Sequence, residues 1–220
     1  MIPLRDSTPS NSFPFITVSL VVINLFIFWQ ETFLGMQGIQ ELFNLFGLVP
    51  ARYTGVQLAP AGYLPFLTSM FLHGSWMHVI GNMWILWLFG DNVEDRMGKG
   101  RFLIFYIVCG LAAALTHYYI NPTSPVPVVG ASGAVAGVMG AYFLMFKRAK
   151  ILTFIPPFFL LNLPAWIYLG FWAVSQLWCG AASVFTANAC GQIAFWAHIG
   201  GFITGMVLHK FFLKAETYSY

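Results

Sequence analysis

Charged side chains are scarce in this sequence. Its 220 residues include ten Lys or Arg and seven Asp or Glu, together 8% of the chain, whereas about a quarter of the residues in a soluble domain are charged. So few charges cannot solvate a globule of this size. The formal net charge of +3 is also too small and too scattered to indicate nucleic-acid binding. With 59% hydrophobic residues and a mean hydropathy of +0.75, the composition excludes disorder, collagen and coiled coil and is that of a membrane protein.

Cysteine is scarce as well. Cys109, Cys179 and Cys190 are odd in number and form no Cys-x-x-Cys pair. The sequence therefore predicts neither a disulfide framework nor a zinc finger. We interpret all three as small apolar residues of the core.

Apolar stretches bounded by charges or turn residues recur six times, and each is close to the ~20 residues that a helical bilayer crossing needs. They predict an all-α membrane protein with six transmembrane helices in a single domain, residues 1–220, whose core spans about 13–210. We expect the first helix to be retained, because no convincing cleavage site precedes Glu31. The stretches are 14–30, 66–89, 102–119, 132–146, 164–180 and 192–209.

The positions of the cations predict the topology, because Lys and Arg near span ends stay on the cytoplasmic side. Nine of the ten fall on one side of the six predicted spans, and only Arg52 falls on the other. Both termini are therefore predicted to be cytoplasmic. The first outer loop, about 31–63, is apolar enough to lie in the membrane interface. Residues 151–163 carry prolines, so the fifth helix is predicted to begin at Pro164.

Ser132 is predicted to lie at the start of a helix that begins inside the membrane. Fifteen residues separate it from Lys147, a rise of about 22 Å against a hydrocarbon core of ~30 Å. The proline-rich stretch 121–127 cannot be helical, and irregular backbone at that depth is tolerated only against protein or a water-filled cavity. Free backbone N–H groups at such a helix start can stabilise an oxyanion.

Three polar side chains are predicted to reach the depth of Ser132. His198 lies about 9 Å into the sixth span if that span begins near Gln192, and His78 lies roughly 10 Å below the outer surface. Asn82 is one helical turn deeper than His78 on the same face. A hydroxyl, an imidazole that can deprotonate it, and two further hydrogen-bond donors thus share one layer, as nucleophilic catalysis requires.

A packing interpretation competes with the catalytic one. Small residues in the fourth and sixth spans let two helices touch, and a serine in such a stretch often bonds its own backbone. The two interpretations are compatible, since a Ser–His pair on neighbouring helices needs the same close approach. His73 and His117 lie nearer to span ends and are interpreted as interfacial and structural. The small residues are Gly130, Gly133, Gly137, Gly140, Ala141, Gly201 and Gly205.

Four motifs in order resemble the rhomboid family of intramembrane serine proteases. They are FLHGSWMHVIGNM at 71–83, EDRMG at 94–98, GASG at 130–133 and AHIGG at 197–201. The resemblance covers roughly residues 13–210. It implies a rhomboid-like bundle that cuts single-pass membrane proteins within or near their transmembrane segment. Ser132 would be the nucleophile and His198 the general base, with no acidic third member.

The resemblance also implies roles for other residues. His78, Asn82 and the Ser132 backbone N–H would hold the oxyanion, while Glu94 and Arg96 would be structural members of a loop network after the second span. Many members carry an aromatic residue where this chain has Ala136, and Trp196 or Phe195 are candidates to fill that gap. We expect no metal or organic cofactor, since side chains and backbone supply every group. The expected partners are a transmembrane-protein substrate and the lipid bilayer, and the expected location is the bacterial inner membrane.

Other classes fit the sequence less well. A rhomboid-like pseudoprotease, which binds transmembrane segments without cleavage, would be marked by the loss of Ser132 or His198, and both are present. A metalloprotease would need His-Glu-x-x-His, which does not occur. An aspartyl protease would need two buried aspartates, but the three aspartates are predicted at the cytoplasmic side. A transporter would normally show repeated halves with broken helices in both.

Overall fold

A computed structural model of the chain describes residues 1–55, 60–186, 190 and 193–215. Within these ranges the fold is mostly helical, with a small sheet and two short 3₁₀ turns, Pro50–Tyr53 and Ser69–Phe71. The α-helices are α1 Phe15–Glu31, α2 Gly35–Phe46, α3 Pro65–Thr68, α4 Trp76–Met97, α5 Lys99–Ile120, α6 Ser132–Met145, α7 Ala165–Phe185 and α8 Phe195–Phe212. The strands are β1 Ile2–Asp6, β2 Lys150–Ile155 and β3 Phe159–Pro164.

The six long helices lie where the six apolar stretches predict them. The predicted second stretch, 66–89, divides into α3 and α4, with Ser75 capping α4 by accepting a hydrogen bond from the His78 backbone N–H. The predicted start near Gln192 lies outside the described residues, and α8 begins at Phe195. Helices α5 and α7 are long and apolar enough to cross a bilayer, and α1 and α6 are shorter apolar helices. The number of spans stays a prediction.

The mostly helical fold fits the predicted all-α membrane class, and a small three-stranded sheet that was not predicted is added to it. Strand β2 lies between β1 and β3 and pairs antiparallel with both. Strand β1 runs beside α4, where the Trp84 indole donates to the Pro3 carbonyl at 2.7 Å and the Asn92 amide donates to the Asp6 carboxylate at 3.2 Å. Residues 150–164 are rich in aliphatic and aromatic side chains on either side of a Pro-Pro pair, with β-branched residues before it, which suits a hairpin.

Helix α6 forms the centre of the bundle. Every residue from Gly133 to Tyr142 is buried, and α8 is the helix that packs against it most extensively. A methyl group on Gly201 would overlap the Gly133 carbonyl, and one on Gly205 would overlap the Gly137 backbone. Only glycine permits this backbone-to-backbone contact.

Glu94 belongs to the last turn of α4, so the prediction of a loop at this position is wrong. Its carboxylate is 2% exposed and accepts hydrogen bonds from the backbone N–H groups of Ile16 and Thr17 at 2.9 and 2.8 Å. These N–H groups lie at the start of α1 and have no partner within that helix. Arg96 is exposed, and its carbonyl accepts the Lys214 backbone N–H at 3.0 Å. Glu94 thus joins two helices, as a structural residue would.

The loop between α1 and α3 is tied to the segment that precedes α6. The backbones of Leu48 and Val128 exchange two hydrogen bonds, at 3.0 and 2.8 Å. The Ala51 N–H donates to the Ser124 carbonyl at 3.0 Å. In the same loop, α2 leaves Met36 85% exposed, and the position of this loop in the interface stays a prediction.

Cys179 and Cys190 form a disulfide, with Cα atoms 5.6 Å apart. The interpretation of these two residues as unpaired is therefore wrong, while Cys109 is free and buried as predicted. The bond ties α7 to the segment that leads into α8. Sequence spacing did not reveal it because the two residues are 11 positions apart and form no Cys-x-x-Cys pair.

Candidate active site

Ser132 is the first residue of α6 and is half-buried. The preceding residues 121–130 form no helix, as predicted from their prolines. Gly130 has a φ of +125°, a backbone conformation that only glycine adopts readily, and its N–H donates to the Ser69 carbonyl at 2.8 Å. The turn therefore brings the backbone sharply into α6 and leaves the first N–H groups of that helix without intrahelical partners.

His198 lies in the first turn of α8, beside the start of α6. The close contact of Gly201 with Gly133 brings the two helix starts together. A methyl group on Gly133 would lie 3.7 Å from the Ala197 carbonyl, so the neighbours of Ser132 and His198 contact each other. The two side chains themselves share no hydrogen bond in the described part of the chain, a loose geometry that is common before substrate binds.

His78 and Asn82 converge on the turn before Ser132. A methyl group on Gly130 would lie 2.6 Å from His78 Nε2 and 3.6 Å from Asn82 Nδ2. The amide nitrogen of Asn82 is buried and has no hydrogen-bond partner among the residues that the structure describes. A buried donor without a partner is costly, and this amide is free to donate to an acceptor that enters beside Gly130.

The His198 ring is held by α7, which sequence reasoning missed. Its Nδ1 lies 2.7 Å from Gln176 Oε1, and its ring centroid lies 6.0 Å from that of Trp172, with the planes 30° apart. The aromatic neighbour of His198 is therefore Trp172, and not Trp196 or Phe195. It takes the place of the ring that Ala136 lacks. A signal was present, because Gln176 is the only amide in the fifth apolar stretch and polar groups in a span are costly.

His73 and His117 are buried, 1% and 9% exposed, with both ring nitrogens of each unpaired. This burial fits the structural role predicted for them, and their depth in the membrane stays a prediction. The backbone N–H of His73 donates to the Glu31 carboxylate at 3.3 Å. His73 and Glu31 line a cavity of about 380 Å³ under α2. The His73 ring centroid lies 5.1 Å from that of His78, so His73 supports the layer that holds the site. Among the described residues no group of three or more His, Cys, Asp or Glu is placed to hold a metal ion.

This arrangement combines a hydroxyl at a helix N-terminus, a neighbouring imidazole fixed through one nitrogen, and an unpaired amide donor beside a second imidazole. Such a set can support attack of a hydroxyl on a carbonyl carbon. The family model for the Rhomboid domain matches residues 60–215, which include all of these side chains. The chain belongs to the rhomboid family and is an integral membrane protein.

Curated relatives come from several compartments. The chain is 31% identical over 142 residues to the rhomboid protease GlpG of Haemophilus influenzae, which is 64% of this chain and 66% of that protein. It is 30% identical over 151 residues to the mitochondrial Rhomboid protein 1 of Saccharomyces cerevisiae, 67% of this chain and 41% of the relative. It is 32% identical over 126 residues to the chloroplastic Rhomboid-like protein 11 of Arabidopsis thaliana, 57% and 40% of the two chains.

Each of these matches spans less than two thirds of the relative's length. Because two of the three relatives carry organelle names, the comparisons do not support the expectation of a bacterial inner membrane over other membranes.

Proposed function

We propose that this protein is an intramembrane serine endopeptidase that cleaves single-pass membrane proteins within or near their transmembrane segment. The observation that carries the proposal is the convergence of His78 and the unpartnered Asn82 amide on Gly130, two residues before a serine that begins a buried helix. The position of this donor beside Ser132, together with His78, is what favours an oxyanion role over packing. The rhomboid protease GlpG, named above, supports the same assignment.

In the proposed reaction the Ser132 hydroxyl oxygen attacks the carbonyl carbon of the scissile peptide bond, and His198 Nε2 takes the hydroxyl proton. The carbonyl oxygen becomes an oxyanion, which accepts hydrogen bonds from His78, Asn82 and the Ser132 backbone N–H. The carbon–nitrogen bond then breaks, and the leaving amine takes the proton from His198. Water, deprotonated by His198, hydrolyses the acyl-enzyme and restores the serine.

Several broader features belong to the same proposal. The chain forms one domain over residues 1–220, with six spans, both termini in the cytoplasm and the site open toward the outer face. The Cys179–Cys190 bond lies at the end of α7 opposite the cytoplasmic cations, and disulfides persist in oxidising compartments, which supports this orientation. No metal ion or organic cofactor takes part. The partners are the bilayer and a substrate whose helix must unwind, so helix-breaking residues near its outer end favour cleavage.

The test compares Ser132→Ala with a matched control, Ser19→Ala, in purified protein. Ser19 lies on α1, and among the described residues its hydroxyl bonds only the Phe15 carbonyl. With a single-pass reporter that carries helix-breaking residues near the outer end of its span, Ser132→Ala should abolish cleavage and the control should not. Cleavage by the Ser132→Ala variant at the wild-type rate contradicts the assignment. A wild-type protein that binds the reporter without cutting it supports a pseudoprotease instead.

A further inference from the structure

One face of α7 is directed at the segment that carries His198. Trp172, Gln176 and Cys179 follow each other at helical spacings of four and three residues, so their side chains lie on one face. Trp172 lies beside the His198 ring, Gln176 is hydrogen-bonded to it, and Cys179 is covalently joined to Cys190, eight residues before it. Three different kinds of contact thus converge on one imidazole and its approach.

The hydrogen bonds around Gln176 fix which way its amide points. The Ser175 hydroxyl donates to the Trp172 carbonyl at 2.6 Å, so its oxygen remains free to accept. It accepts from Gln176 Nε2 at 3.3 Å, which leaves Gln176 Oε1 facing His198 at 2.7 Å. An amide oxygen only accepts hydrogen bonds. His198 Nδ1 must therefore carry a proton, and in the neutral ring the lone pair then lies on Nε2.

We propose that Gln176 is a positioning residue for His198. It holds the imidazole in the Nδ1–H tautomer and directs Nε2 toward Ser132, so that the proposed pair acts as a triad whose third member is a neutral amide. This inference rests on the proposed protease function. The amide takes up no proton at any step, since its oxygen accepts the Nδ1–H bond both before and after Nε2 gains the serine proton.

The chemistry of the site explains why orientation needs a separate residue. His198 has no carboxylate partner, and its ring can turn about its side-chain bonds unless contacts prevent it. The wrong tautomer would present an N–H to Ser132 and could not accept its proton. A Gln176 Oε1 acceptor excludes that tautomer, and Trp172 limits the tilt of the ring. Together they fix the orientation and the tautomer of the ring, as the group bonded to the other ring nitrogen of a functional histidine does in other sites.

The competing account gives Gln176 only a packing role. Under that account an isosteric apolar residue should serve at least as well, and a charged residue should serve worse, because charge in a span is costly. The positioning account predicts the opposite order of activities for the apolar and the charged variant. Gln176→Met keeps the length but removes the acceptor, while Gln176→Glu keeps an acceptor oxygen in the same place.

The experiment measures three quantities on Gln176→Met, Gln176→Glu and the wild type: kcat and KM for reporter cleavage, the rate at which a small fluorophosphonate labels the protein, and the melting temperature. Labelling reports the activation of Ser132 without the need to admit a transmembrane substrate. We expect Gln176→Met to lose about 10- to 100-fold in kcat and in labelling rate, as misorientation costs in other enzymes, with KM and melting temperature unchanged. Gln176→Glu should stay within about 3-fold of the wild type.

A Gln176→Met protein that labels as fast as the wild type overturns the inference, as does one whose activity falls only in step with its melting temperature. A folded Gln176→Glu protein as slow as Gln176→Met overturns it too, because any acceptor at that place should hold the ring. These outcomes leave the protease proposal standing. A wild-type protein that neither labels nor cleaves contradicts the proposed function itself.

Discussion

The two neighbours of α8 hold it in different ways. Helix α6 meets α8 through backbone, where Gly201 and Gly205 lie against the carbonyls of Gly133 and Gly137. Helix α7 meets it through side chains, by an aromatic contact and a hydrogen bond to His198, while a disulfide joins α7 to the segment before α8. The α6–α8 contact is between backbones, so it has no side chain that a substitution could remove. Each side-chain contact from α7 can be removed by a single substitution.

This difference separates two requirements of the proposed site. The glycine contact sets where the backbones of Ser132 and His198 lie. The α7 contacts set how the imidazole is turned. Loss of the first should therefore destroy fold and activity together, and loss of the second should lower activity while the bundle remains folded.

The largest effect is expected where the backbone contact is broken. Gly205→Ala places a methyl group into the Gly137 backbone, and overpacking of this kind costs about 1–3 kcal/mol or more. We expect a lower melting temperature and near-complete loss of cleavage. The matched control is Gly100→Ala in α5, where a methyl group meets nothing within 4 Å and helix propensity improves. Equal melting curves for the two variants would contradict the account of the α6–α8 contact.

A smaller effect, confined to the chemical step, is expected from the oxyanion donors. His78→Ala and Asn82→Ala should lower kcat with little change in KM, because these donors act chiefly on the developing oxyanion. One lost donor typically costs about 10²–10³ in rate, and several donors can share the task. Single-turnover cleavage and melting should be measured on the same preparations. If both variants lose stability in parallel with activity, the two residues serve only to hold helices together.

The smallest effect is expected from the disulfide. A Cys179→Ser, Cys190→Ser double variant should fold but lose a few-fold in cleavage rate and some thermal stability, since α7 would keep its side-chain contacts without the covalent link. Treatment of the wild type with a reductant should give the same change. The reductant should have no further effect on the double variant, which serves as its control. Full activity in both would show that the bond does not help α7 to orient His198.

The sequence predicted the features that depend on local chemistry. Prolines at 121–127 and the glycines around Ser132 were enough to predict where α6 begins, and helical spacing was enough to place His78 and Asn82 on one face. Sequence analysis did not reveal contacts between distant segments. Strand β1 pairs with β2, which lies far along the chain, with Ile2 opposite Phe154, and the partner of His198 lies on α7, so no local pattern of either segment shows the contact.

The same distinction explains the error over Glu94. Its motif was recognised from neighbouring residues, but a loop was predicted where α4 continues to Met97. The Glu94 carboxylate accepts hydrogen bonds from the N-terminus of α1, where Thr17 lies 77 residues earlier in the chain. Helix α4 continues past the charged residues that mark the end of the predicted span, and one of them, Glu94, binds the N-terminus of α1.

The most direct test of the central claim is to find which atom of the protein reacts with a serine-directed reagent. Detergent-purified wild type is incubated with a fluorophosphonate, and peptide mass spectrometry locates the adduct. The account predicts one adduct, on Ser132, that is lost in Ser132→Ala and forms far more slowly in His198→Ala, while both variants keep the wild-type melting temperature. Labelling of Ser132 at an unchanged rate in folded His198→Ala, or no labelling of a wild type that cleaves its substrate, would contradict a serine nucleophile activated by His198.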